Sequence, residues 1–151
     1  MKIAKVGYLS ALVLFSSFCL SAQTAPKTIV LKSAASVVKS SPAYAELLLR
    51  KVERESELEE FALGYTDEFP KVKEIKFELN LINQEMSRVL AVNAAESGKL
   101  TLALGKLMVR KTEIETDLWN LHKQYTDERP EVKRARRKIE IYEKAIKEIL
   151  P

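Results

Sequence analysis

Apolar residues recur along this chain at the spacing of helices that pack on other helices. The cleanest run is Val72, Ile75, Leu79, Ile82, Met86 and Val89, whose intervals of 3, 4, 3, 4 and 3 make a heptad seam. A second run, Leu100, Leu104, Leu107, Ile114, Leu118, Leu121 and Tyr125, keeps that frame with Lys111 standing inside it. Upstream, Tyr44, Leu47, Leu58, Phe61 and Tyr65 share a stripe in which Lys51 and Arg54 fill two seam positions, and Val132, Ala135, Ile139, Tyr142, Ile146 and Ile149 complete a fourth. At 1.5 Å rise per residue each helix is about 30–37 Å long. Apolar residues beside the seams (Phe77, Leu81, Leu90, Met108, Trp119, Ile141) widen the stripes beyond what a two-stranded coil buries. The predicted fold class is all-α: two tandem antiparallel αα-hairpins, over 43–95 and 99–151, forming an elongated four-helix bundle or coiled coil.

The second and fourth helices share more than a pattern. Tyr65-Thr66-Asp67-Glu68-Phe69-Pro70-Lys71-Val72-Lys73 returns sixty positions later as Tyr125-Thr126-Asp127-Glu128-Arg129-Pro130-Glu131-Val132-Lys133. Over 47–90 against 107–150, 14 of 44 positions are identical, so the chain carries a duplicated helix–turn–helix unit. The turn follows from its residues. The position before Pro is driven out of the helical region, which predicts extended backbone at Phe69 and Arg129. Pro70 and Pro130 then open the next helices where a missing N–H costs nothing. Asp67, Glu68, Asp127 and Glu128 sit where a helix N-terminus favours negative charge, and Tyr65 and Tyr125 are expected to pack over the following helix start. Thr66, Thr126, Val72 and Val132 complete a motif read as structural rather than catalytic.

Ser41-Pro42 predicts an N-cap and first helical position for the first helix, and Gly64 lies where a helix stop is expected. Glu96-Ser97-Gly98 either separates the second and third helices or lies within one rod from Pro70 to Gln124. The heptad phase slips at this point, which favours a break. Seam residues Lys51, Arg54 and Lys111 either lay apolar stems along the seam with wet charges or restrict register and oligomeric state.

The first 22 residues read as a secretory leader: a basic start with Lys2 and Lys5, an apolar run from Val6 to Leu20, and Ser21-Ala22 before the expected cut. The run is shorter than the roughly 20 residues that span a bilayer, and Phe18 before Cys19 does not fit a lipidation signal. Export places the mature chain in the periplasm or outside the cell. Residues 23–42, rich in Ser, Ala, Thr and Lys, read as a tether. Cleavage takes 2 of 25 basic residues and no acidic ones, leaving 23 against 21 and a net charge near +2. It also removes the single cysteine, and with it thiolate or disulfide chemistry.

The Tyr-Thr-Asp-Glu-x-Pro-x-Val-Lys turn between heptad helices resembles the periplasmic coiled-coil hairpins of polysaccharide chain-length determinant proteins and related exopolysaccharide co-polymerases and tyrosine autokinases. The resemblance covers about 110 residues and both turns. It implies an envelope-located helical hairpin linked to surface polysaccharide, here in two tandem copies without the flanking transmembrane helices. Where that family often has His before the Pro, this chain has Phe69 and Arg129. A looser likeness is to small periplasmic helical chaperones.

Candidate chemistry is sparse. His122 is the single histidine, with no partner set for a metal or nucleophile. Gly98-Lys99 lacks the upstream Gly and following Ser or Thr of a phosphate loop. Carboxylates crowd the first helix (Glu53, Glu55, Glu57, Glu59, Glu60), and cations crowd the fourth (Lys133, Arg134, Arg136, Arg137, Lys138). These faces are either solvated and paired within or between hairpins, or the basic one contacts an anionic lipid or polysaccharide surface. No aromatics interleave the cluster as nucleic-acid binding would use. The expected function is non-enzymatic and cofactor-free: a structural or interaction protein of the envelope, partnering an envelope protein or itself. The alternative is a periplasmic holdase gripping unfolded clients between its hairpins.

Overall fold

A computed structural model describes residues 35–151. The expected leader and residues 23–34 of the expected tether lie outside the described residues. The fold is an all-α bundle of four long helices: α1 (Pro42–Ala62), α2 (Pro70–Leu90), α3 (Leu102–His122) and α4 (Pro130–Ile149). Local chemistry sets each start. Ser41 Oγ accepts the Tyr44 N–H at 3.3 Å, and its counterpart in the repeat, Thr101, caps α3 by accepting the Leu104 N–H at 3.3 Å. Phe69 (φ −61°, ψ 132°) and Arg129 (φ −65°, ψ 138°) are extended, as the following prolines require, and Pro70 and Pro130 open α2 and α4.

The connection between α2 and α3 is a break. A 3-10 turn over Ala94–Lys99, begun by Asn93 accepting the Ala95 N–H at 3.0 Å, separates the helices and excludes a single rod. Leu100 opens the predicted seam of the third helix but lies outside α3, fully buried from the connection. Gly64 has no left-handed φ, and Gln124 occupies the same place in the second turn, so neither turn depends on glycine. The expected tether also ends early. Residues 35–39 form a helical turn and Val38 is buried in the core, because an apolar side chain here can close the end of the bundle.

Helix α3 organises the packing. It lies against α1, α2 and α4, α1 lies also against α2, and α1 and α4 do not form a packed pair. The main core lies at the end away from both Pro turns, where Leu47, Val89, Leu104, Met108 and Ile146 meet under Val38, Leu100 and Leu150. Two faces of α3 are consequently buried. One is the predicted seam (Leu104, Ile114); the other is Gly105, Met108, Thr112 and Thr116. The threonines tolerate burial because each returns its hydroxyl to its own helix, Thr112 to the Val109 carbonyl at 2.8 Å and Thr116 to the Thr112 carbonyl at 2.9 Å.

Gly105 lets α3 approach α1. A Cβ there would stand 2.8 Å from Glu46 Cβ and 2.9 Å from Ala43 Cα, inside van der Waals contact with backbone that cannot swing away. Gly105→Ala is therefore expected to destabilise the protein by about 1–3 kcal/mol, against its gain of about 1 kcal/mol in helix propensity. Gly98→Ala, whose Cβ meets nothing within 4 Å, should not destabilise. Urea denaturation of the two variants checks the contrast, and a stabilised Gly105→Ala protein would contradict the close approach.

Candidate functional site

The two turns fold alike, and their acidic residues are used in the folding. Glu68 and Glu128 each pair with the lysine five residues on, Glu128 with Lys133 at 2.6 Å and Glu68 with Lys73. Asp67 reaches Lys76 at 2.9 Å and Asp127 reaches Arg136 at 2.5 Å, nine residues ahead. Tyr65 stacks on Phe69 with ring centroids 4.0 Å apart, and in the second turn the Arg129 guanidinium lies 5.0 Å over Tyr125. Phe69 and Arg129 thus do one job by different means. His122 stands 3.4 Å from Asp127 at the margin of this cluster. Among the described residues no group of three His, Cys, Asp or Glu could hold a metal ion, and no helix is long and apolar enough to cross a membrane.

The seam cations occupy a buried charged layer between the main core and the turns. Lys111 Nζ lies 2.7 Å from Glu85 of α2, 3.1 Å from Glu143 of α4 and 3.5 Å from Glu115 of α3. Arg88 meets the same Glu143 at 3.3 Å. On the other side of α3, Arg50 grips Glu78 at 2.7 Å and Glu113 at 3.2 Å, while Arg54 binds Glu57 at 2.6 Å. Of the seam cations, Lys111 does not keep its charge wet, whereas Lys51, half-buried and paired only with Glu55 at 3.5 Å, fits the reading of a stem along the seam with a wet charge. Glu78 and Glu85 are buried, which polarity alone does not suggest. For Glu85 the signal is Lys111 inside an apolar seam, which draws a carboxylate from the facing helix; Glu78 is held chiefly by Arg50, beside the seam.

Burial opposes the charge of Lys111, yet Glu85 first, then Glu115 and Glu143, hold its pKa above the ordinary lysine value. Burial likewise resists ionisation of Glu143, but the hydrogen bond and charge of Lys111, with Arg88 behind, keep it below the ordinary glutamate value. At Glu115 burial wins and pushes the carboxyl up, helped by Glu85 and Glu143 nearby. Glu74 is held low against burial by Lys71 and by Asn120, whose amide donates to it at 2.8 Å.

Among the described residues two apolar surfaces stay uncovered. Between α2 and α4, towards the turns, α3 floors a groove of about 460 Å³ lined by Phe77, Leu81, Leu118, Trp119, His122 and Ile139, with Glu115, Arg136 and Glu140 along its sides. Phe77 stacks on Trp119 at 4.9 Å, and Lys123 covers that indole at 3.3 Å. The second surface is the outside of α1, where Leu48, Leu49 and Val52 project into solvent. Of the basic residues on α4, Lys133, Arg134, Arg136 and Arg137 each have a carboxylate within 4 Å and Lys138 has none among the described residues. No protein-family model, characterised protein or solved structure matches the chain.

The shifted carboxyls set the pH dependence. Glu74 and Glu143, lowered on folding, stabilise fully above the unfolded glutamate value of about 4.3 and lose that contribution as pH falls through their folded values. Glu115, raised, has the opposite sign: its contribution is full below the unfolded value and is lost as pH rises through the folded one. Glu115→Gln should thus be neutral or stabilising at neutral pH, and Glu143→Gln destabilising by about 1 kcal/mol. Chemical denaturation of both variants between about pH 3 and 7 reads the difference. Destabilised Glu115→Gln at pH 7 would show that Lys111 needs all three carboxylates.

Proposed function

We propose that the chain is a non-enzymatic structural and interaction module of the cell envelope, exported by its amino-terminal leader and acting through the faces of a rigid bundle. The observation that carries this reading is the buried charged layer. By tying α2, α3 and α4 together at Lys111, it holds the outer faces in fixed relation, as a docking platform requires. The acids of the turn motifs are engaged by Lys73, Lys76, Lys133 and Arg136, which supports a structural role for both motifs. Their resemblance to co-polymerase hairpins supports a place near surface polysaccharide. Lys133, Arg134, Arg136 and Arg137 already lie beside carboxylates of their own helix or turn, which weakens the pull of that face on an anionic polymer or lipid surface, so we assign it to protein contact.

The groove between α2 and α4 favours a second reading. It is apolar, opens between the two repeats and suits the grip of a holdase on unfolded envelope proteins. In-cell crosslinking through a carboxy-terminal tag, with mass spectrometry of what co-purifies, separates the two. One or two stoichiometric envelope components are expected. Many different outer-membrane polypeptides, released as they fold, would overturn the platform reading in favour of the holdase.

A further inference from the structure

The internal repeat gives the molecule equivalent faces and covers only some of them. Shifted by sixty positions, Ala45, Leu48, Leu49 and Val52 on α1 correspond to Gly105, Met108, Val109 and Thr112 on α3. On α3 this face meets the first repeat: Gly105 lies against Ala43 and Glu46, and Met108 and Thr112 are fully buried. On α1 the same positions face solvent, with Leu49 58% and Val52 53% exposed. Stacked repeats bury such faces on their neighbours. Among the described residues no further repeat packs before the first or after the second.

The charges on these two uncovered faces fit each other. Among the contacts that join the repeats within the chain are three towards the turns and on the α1 side: Arg50 to Glu113 at 3.2 Å, Asn120 to Glu74 at 2.8 Å, and Trp119 stacked on Phe77 at 4.9 Å. Carried sixty residues along, they become Arg110 with Glu53, Arg134 with Glu60, and Arg137 with Glu59, taken from two molecules. An amide–carboxylate pair and an aromatic pair turn into ion pairs, each of attractive sign. Arg134 and Arg137 do not meet Glu60 and Glu59 inside one chain, because α1 and α4 do not form a packed pair. The second repeat is also the more cationic on this face, although Arg110 already holds Glu113 at 2.7 Å. Where Arg50 binds Glu78, the equivalent positions hold Arg110 and Lys138, both cations. Glu59, Glu60 and Lys138 have no ion pair among the described residues, and Arg137, 80% exposed, reaches its nearest carboxylate only at 3.9 Å.

We propose that the chain associates head to tail with a second copy of itself, the outer face of α1 in one molecule seating on the α3–α4 face of the next. The two faces differ, so the contact is heterologous and continues into a ring or a filament instead of closing as a twofold dimer. The proposal rests on the reading of the chain as an interaction module and names one partner for it. It fails separately: a strictly monomeric chain that still captures an envelope component would end self-docking and leave the module.

Sedimentation velocity of the purified full chain across a concentration series tests it. Mass is expected to grow with concentration at low salt and to fall back as salt rises. Glu59→Lys with Glu60→Lys, and separately Arg134→Glu with Arg137→Glu, should each weaken association at least tenfold. Circular dichroism should stay unchanged, because all four side chains are exposed. Mixing the two variants should restore association, since each supplies the face that the other's reversed charges now fit. A monomer at every concentration, association that neither reversal weakens, or a mixture that stays monomeric would overturn the proposal.

Discussion

One lysine ammonium decides how three of the four helices stand against each other. Lys111, its side chain 13% exposed, draws Glu85 from α2, Glu143 from α4 and Glu115 from its own helix onto a single nitrogen. A charge this far from water is tolerable only with its partners in place. A slip of α2 along α3 would take Glu85 away from Lys111, and a slip of α4 would take Glu143 away. Apolar seams alone do not impose that penalty, because a shift of one heptad exchanges one leucine contact for another. Arg50, between Glu78 and Glu113, does the same on the other side of α3. The hydrophobic core holds the far end of the bundle, and the charged layer selects one alignment of what the core would hold in several.

Duplication explains why the molecule is so alike at its turns and so unlike on its faces. Both turns keep the same backbone and the same acid-to-cation braces, and even the exchange of Phe69 for Arg129 preserves a contact to the tyrosine. The helix faces diverged because the two repeats occupy different places. The α3 face that abuts α1 needed Gly105 and self-satisfied threonines. Its α1 counterpart kept Ala45, Leu48 and Val52 in solvent. In α2, Glu74 and Phe77 meet α3 and Glu78 meets α1, and in α4 their counterparts are Arg134, Arg137 and Lys138.

Much of this was legible in the sequence, and what was not has a common cause. The seam of α2 could be read because apolar spacing reports one buried face: Val72, Ile75, Ile82, Met86 and Val89 are buried and Leu79 is half-buried. The caps at Ser41 and the two Pro-opened helices follow from local rules that tertiary structure had no reason to override. Periodicity does not report a second buried face made of polar or small residues. Thr112 and Thr116 look like surface positions until their hydroxyls turn back to the helix, and Gly105 looks like a weakness until α1 lies against it. Glu78 and Glu85 were hidden for the same reason, since a buried carboxylate is recognised only once its cation is placed opposite. Of the candidate surfaces, the acidic and basic helices were visible in the sequence. That α1 and α4 lie apart, and that a groove opens beside Trp119, depend on how the repeats dock.

A double-mutant cycle between Glu85 and Lys111 tests the role of the charged layer most directly. Glu85→Met and Lys111→Met should each destabilise the protein, because each breaks the shortest ion pair of the layer and leaves the other, partly desolvated charge with only its more distant partners. The double variant should recover a large part of the loss, giving a coupling of about 1.5 kcal/mol or more. Losses that simply add would mean that the two side chains do not depend on one another and that apolar packing alone aligns α2 with α3.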